Sequence, residues 1–133
     1  MNITTFSDYT LRIMIFLAAP ATKKATAKHI AETHEVSFHH IAKAAQWLAR
    51  EGYITSERGR TGGLSLKKTP NAINIGELLH SAENFSGSPL VDCFKESGGT
   101  CSLRNGCGLK SALSKAQGSF YETLAGYTLA DIT

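Results

Sequence analysis

The stretch Ser37-Phe38-His39-His40-Ile41-Ala42-Lys43-Ala44-Ala45-Gln46-Trp47-Leu48-Ala49-Arg50-Glu51-Gly52-Tyr53-Ile54-Thr55-Ser56-Glu57-Arg58-Gly59-Arg60-Thr61-Gly62-Gly63-Leu64-Ser65-Leu66-Lys67 changes its local pattern part-way along. As far as Arg50, the apolar residues Ile41, Ala44, Ala45 and Leu48 recur at helical spacing, with Ser37 placed to cap the helix and Gly52 to stop it. His39, Lys43, Gln46 and Arg50 form a polar stripe on the opposite side of the same helix. Beyond it, residues 53–57 and 63–67 read as two short strands joined by a basic, glycine-rich turn. Glycine lets such a turn close tightly and approach another molecule. Arg58 and Arg60 put guanidinium groups at its tip, where they can meet phosphate or enter a narrow minor groove.

Upstream, a short helix from about Thr26 through Lys28 to Glu32 is separated from the stretch by the turn at His34-Glu35-Val36, which spells helix-turn-helix. The polar stripe alone is what any solvated helix face offers. Helix-turn-helix followed at once by a basic hairpin is far more specific, and it points to double-stranded DNA as the partner. The candidate DNA-facing residues are Ser37, Phe38, His39, His40 and Lys43 on the third helix, Lys28 on the second, and Arg58 and Arg60 in the wing. Phe38 suits either a thymine methyl or packing beneath the turn. A first helix is expected over residues 7–19, capped by Ser7 and ended by Pro20. Its run from Ile13 to Ala19 imitates a signal peptide, but Asp8 and Arg12 cancel where a positive segment is required and the run is too short for a bilayer. A cytoplasmic protein without a membrane segment is expected.

The 133 residues, 42% of them hydrophobic, suffice for one modest core. The formal net charge of +3 is unevenly spread. Residues 1–70 hold ten Lys and Arg against five Asp and Glu, whereas residues 71–133 hold four against six, so the basic surface belongs to the N-terminal part. Downstream, residues 73–80 lead into another helix that fades by Asn84, and residues 85–108 read as loop. Leu109, Leu113, Ala116, Phe120, Leu124 and Tyr127 then share one face of a long helix. Gly118 weakens that helix by about 1 kcal/mol relative to Ala, so it needs a partner surface, and a homodimer reading a palindromic operator would supply one. The expected fold is mainly α: a winged helix-turn-helix with a two-stranded wing and a long C-terminal dimerisation helix. The expected division is a DNA-binding region over residues 1–70, a connecting helix over 71–84, a cysteine loop over 85–108 and the dimerisation segment over 109–133. No Ser/His/Asp or Cys/His constellation suggests an enzyme, and His29, His34 and His80 are scattered.

Cys93, Cys101 and Cys107 put three soft sulfur ligands in one loop, and their odd number argues against a secreted disulfide scaffold. Zinc-ribbon pairs are missing, and no histidine lies between Cys93 and Cys107, so a structural zinc would need a distant fourth ligand. Gaps containing Gly98, Gly99 and Gly106 favour an iron-sulfur cluster, with zinc or a thiol-disulfide switch left open. An electron-transfer or zinc protein with an incidental basic head stays open beside a regulator.

Several segments together resemble the bacterial iron-sulfur winged-helix repressors that include IscR and NsrR. They are Phe6-Ser7-Asp8-Tyr9-Thr10-Leu11-Arg12, Arg60-Thr61-Gly62-Gly63-Leu64-Ser65-Leu66, Ile73-Asn74-Ile75-Gly76-Glu77 and the clustered cysteines. Leu113-Ser114-Lys115-Ala116 and Tyr127-Thr128-Leu129-Ala130-Asp131 are similar to the nitric-oxide-sensing, NsrR-like branch. The resemblance implies a repressor whose 4Fe-4S cluster is held by Cys93, Cys101, Cys107 and, across a dimer, Asp8, with nitrosylation releasing DNA. The alternative within the family is redox or iron-sulfur sensing through a 2Fe-2S cluster. That site would be completed by a histidine three residues beyond the third cysteine, where this chain has Lys110. Seven residues between Cys93 and Cys101 make a longer gap than the family pattern leads one to expect. From the residues alone, Asp8 reads first as a helix-terminus carboxylate paired with Arg12, and its ligand role depends on the resemblance and on a dimer.

Overall fold

A computed structural model describes residues 2–87, 89–103 and 105–133. Helix α1, Thr5–Ala18, starts earlier than its sequence suggests. Its cap is Thr4, whose hydroxyl accepts the Ser7 N–H at 3.2 Å, while Ser7 itself is fully buried inside the first turn. The expected Ser7 cap is thus corrected: Thr4 is also held by Glu83, which accepts its N–H at 2.8 Å, and this bond fixes where the helix begins. Helix α2, Ala27–Thr33, is capped by Thr26, whose hydroxyl accepts from the His29 N–H. The turn to α3, Phe38–Arg50, passes through Glu35 in the left-handed region and returns the Val36 N–H to the Ala31 carbonyl at 3.0 Å. Ser37 occupies the N-cap position of α3 but makes no side-chain capping bond.

Strands β1, Ile54–Glu57, and β2, Gly63–Leu66, form an antiparallel hairpin with Ile54 opposite Leu66 and Glu57 opposite Gly63. Ala25, just before α2, adds a bridge to Leu64 through bonds of 3.0 and 2.7 Å, and so ties the wing to the helix-turn-helix. Lys24 pairs with Glu57 beside that bridge.

The core lies where α1, α2, α3 and the next helix meet the wing, with Ile13, Met14, Ile30, Ile41, Leu48 and Leu78 wholly buried. Each such side chain contributes about 1.5–3 kcal/mol. Helix α4, Ile75–Ser86, is capped by Asn74 and ends at Gly87, which takes the left-handed conformation. It outlasts the expected fade near Asn84 because Glu83 binds Thr4 and Phe85 packs its ring on Phe6, 5.0 Å between centroids. After a 3-10 turn at Asp92–Phe94 comes α5, Gly108–Ala125, which rests on α4. A Cβ at Gly76 of α4 would fall 2.5 Å from the Ala125 backbone nitrogen and 2.6 Å from the Tyr121 carbonyl oxygen, so glycine sets that close approach. The chain then returns to the core: the Leu129 N–H donates to the Ile73 carbonyl at 2.8 Å and the Leu129 side chain is fully buried. Tyr127, expected at the end of the long helix, lies past it. The architecture is the mainly helical winged helix read from the sequence. Among the described residues no helix is long and apolar enough to cross a membrane.

Candidate functional site

The candidate DNA contacts lie on α2, on α3 and in the wing turn. Ile41, Ala44, Ala45 and Leu48 turn inward, and α3 consequently presents Phe38, His39, His40, Lys43, Gln46 and Arg50 outward, all exposed. The His40 ring lies 5.8 Å from that of Tyr9 on α1, and Phe38, half exposed, meets the edge of His39. Ser37 is exposed at the start of the helix. Lys28 on α2 is exposed and pairs loosely with Glu32 at 3.9 Å. Arg58 and Arg60 stand exposed in the wing turn, which closes with the Gly62 N–H donating to the Gly59 carbonyl at 3.0 Å. Lys43, Arg58 and Arg60 thus carry no ion pair among the described residues, whereas Arg50 pairs with Glu51 at 3.7 Å.

The second feature is the loop between α4 and α5. Its three cysteines are free and partly buried. Cys93 and Cys107 line one open cavity of about 920 Å³, together with Lys95, Lys110 and Lys115. Cys101 lies outside that lining, and no three His, Cys, Asp or Glu side chains converge among the described residues. Asp8 is in the first turn of α1, where the Arg12 Nε–H is shared between its two carboxylate oxygens at 3.1 and 3.0 Å and the Arg12 Nη2 lies 3.0 Å from Oδ2. That contact pushes the Arg12 guanidinium up from its ordinary value, first by hydrogen bonding and then by charge.

A family model described as an iron-dependent transcriptional regulator, Rrf2, matches residues 3–133. The chain belongs to the Rrf2 family. Among its Rrf2 relatives, the HTH-type transcriptional regulator NsrR of Bacillus licheniformis is 40% identical over 99% of this chain and 92% of the relative. The regulator of the same name from Shouchella clausii is 35% identical over 99% and 88%. In structure the chain is similar to CymR, the global cysteine regulator of B. subtilis, with a TM-score of 0.73 and 26% identity over 99% of this chain and 95% of that one. The IscR of T. potens superposes with a TM-score of 0.72 at 26% identity, over 99% and 85%. This Rrf2 protein is accordingly a transcriptional regulator built on a winged helix.

The donor set suits the iron that the Rrf2 description names. Three thiols are soft ligands, and a metal centre bound through thiolates is anionic, so Lys110 and Lys115, which line the cavity with Cys93 and Cys107, favour it, while Lys95 is paired with Asp92. Sequence reasoning missed two residues of this Rrf2 chain. Asp92 accepts the Thr100 N–H at 2.7 Å and an ion pair from Lys95, and these hold its carboxyl below the usual range, Lys95 contributing most. Phe85 touches both Phe6 and Trp47, and its ring carries the Arg50 guanidinium at 5.3 Å. No motif announces either residue. A carboxylate beside a cysteine and an aromatic beside a helix end were the available signals.

Proposed function

We propose that this Rrf2 regulator represses transcription as a homodimer on a palindromic operator and senses nitric oxide through a 4Fe-4S cluster. Cys93, Cys101 and Cys107 of one subunit would hold it together with Asp8 of the other. The observation that carries the reading is the lysine-lined cavity that Cys93 and Cys107 share, on a loop hanging directly from the helix that braces the DNA-reading head. The sequence relatives named NsrR favour this branch of the family. When bound, the cluster would supply an iron held by a hard carboxylate among soft thiolates, more exchangeable than its neighbours and therefore open to nitric oxide.

On DNA, His39, His40 and Lys43 would meet base edges and phosphates from the start of α3, while Arg58 and Arg60 hold the wing to the backbone. Ser37, Phe38 and Lys28 would line the same contact. The exposed face of α5, which has no buried residue and carries Leu109 with 65% of its surface exposed, would pair the subunits. Asp8 must leave Arg12 to reach a partner's loop, and a half-exposed pair of this kind resists little.

Within one subunit, Asp8 and the stem of that subunit's own cysteine loop are joined through Thr4. The Asp8 N–H donates to the Thr4 carbonyl at 2.9 Å, and Thr4 is clasped by Glu83 in the last turns of α4, four residues before Gly87 begins the loop. Releasing Asp8 from the partner's loop would therefore loosen the same joint that sets α4 against α1. Two heads must enter major grooves about one helical turn apart, so a small change in their spacing forfeits a half-site. The test is to replace Cys93, Cys101 or Cys107 by Ser and measure iron and sulfide per chain alongside operator binding. Each variant should lose the cluster and tight binding. Full retention in any one of them removes that cysteine from the ligand set.

A further inference from the structure

Seven residues separate Cys93 from Cys101, and the structure shows what folds them back. The turn at Asp92–Phe94 sends the Lys95 N–H to the Asp92 carbonyl at 3.1 Å, and the Gly98 N–H to the Lys95 carbonyl at 2.8 Å. The chain then passes over the Asp92 side chain. Oδ1 of Asp92 is taken by Lys95, and Oδ2 accepts the Thr100 N–H at 2.7 Å and its hydroxyl at 3.4 Å. Gly99 lies against the same residue with a φ of +60°, and a Cβ there would fall 2.8 Å from the Asp92 carbonyl carbon, closer than side chains tolerate. Asp92 directly precedes Cys93, and Thr100 directly precedes Cys101.

We propose that Asp92 is a positioning residue for the metal centre: by clasping Thr100 it holds Cys93 and Cys101 at a fixed separation before any metal arrives. Its Oδ2 holds the Thr100 backbone N–H, so the role assigned to it is exerted through the backbone. A charge-assisted bond from a carboxylate to a backbone N–H is among the stronger hydrogen bonds, and closing the gap in advance removes loop entropy that metal binding would otherwise have to overcome. The inference rests on the reading of Cys93 and Cys101 as ligands, but the clasp can be measured in metal-free protein.

The probe is dibromobimane, which fluoresces strongly once it bridges two thiols, applied to reduced, metal-free, full-length protein in a Cys107→Ser background. Asp92→Ala and Gly99→Ala should lower the rate of bridging between Cys93 and Cys101 by about fivefold, the effect of removing one net hydrogen bond. Asp92→Asn, which keeps an oxygen to accept the Thr100 N–H but loses the charge, should fall between the parent and Asp92→Ala. In the chain with all three cysteines, anaerobic reconstitution with iron and sulfide should develop visible absorption more slowly in Asp92→Ala than in Asp92→Asn. Equal bridging in the parent, Asp92→Ala and Gly99→Ala overturns the clasp, and so does an Asn variant as impaired as the Ala one. A parent that bridges as expected yet never builds a cluster overturns the ligand reading and leaves the clasp standing.

Discussion

The ring of Phe85 lies 5.9 Å from the ring of Trp47, so the last turn of α4 packs directly on α3. Trp47 is almost wholly buried, and from the same helix Arg50 lays its guanidinium over the outer face of Phe85. The stem of the cysteine loop therefore touches the helix that would read DNA. Phe85→Ala should leave the head folded, since the ring is nearly half exposed, but should make operator affinity less dependent on the cluster. The ratio of affinities between loaded and cluster-free protein, measured by fluorescence anisotropy, should fall by at least about fivefold, the lower end of ordinary coupling between sites. An unchanged ratio would mean that the signal travels by another route.

Arg60 projects from a turn held by the Gly62–Gly59 bond and has no ion-pair partner among the described residues. Arg60→Ala should weaken operator binding across sequences and reduce the slope of log K against log salt by about 1, the share of a single neutralised phosphate. A slope equal to that of the parent would take the wing away from the DNA.

Two glycines on the C-terminal helix pair should respond in opposite directions. Gly76→Ala drives a methyl into the α5 backbone and should cost about 1–3 kcal/mol, lowering Tm by several degrees. Gly118→Ala meets nothing within 4 Å and should gain up to about 1 kcal/mol in helix propensity. Thermal unfolding of both variants decides the matter. A Gly118→Ala variant less stable than the parent would show a second subunit packed tightly against that point of α5.

Asp131 closes a capping box, accepting both the N–H and the hydroxyl of Thr128 at 2.7 Å, which lowers its carboxyl from the ordinary value. A depressed folded-state value means that the contribution is complete above the ordinary carboxyl range and is lost as pH falls through the depressed one. Asp131→Asn should therefore be less stable than the parent near neutrality, and the difference in Tm should close as pH drops from about 6 to about 3. A difference that persists at the acid end would assign the loss to shape and not to charge.

The head is legible in the sequence because its signals are local. Helical spacing in Ile41, Ala44, Ala45 and Leu48 and the glycines of the wing each state their own geometry within a few residues. The start of α1 is not legible in this way, because Thr4 is fixed by Glu83, 79 residues away, and a distant clasp leaves no mark on neighbouring sequence. Helix α4 looks too short in the sequence for the same reason, its last turn being held by contacts to α1 and α3. The bridge from Ala25 to Leu64 is likewise invisible, since one residue of extended backbone has no periodicity. In the loop, the cysteines are evident, but the clasp at Asp92 depends on a backbone N–H, which every residue except proline offers alike.

Nitric oxide sensing through the cysteine loop is tested most directly by one anaerobic sample followed in two ways: visible absorption and operator anisotropy, before and after addition of nitric oxide. The expected result is a broad sulfur-to-iron absorption that changes on addition, with operator released over the same range of nitric oxide. A colourless protein that binds operator equally well with and without nitric oxide would contradict it.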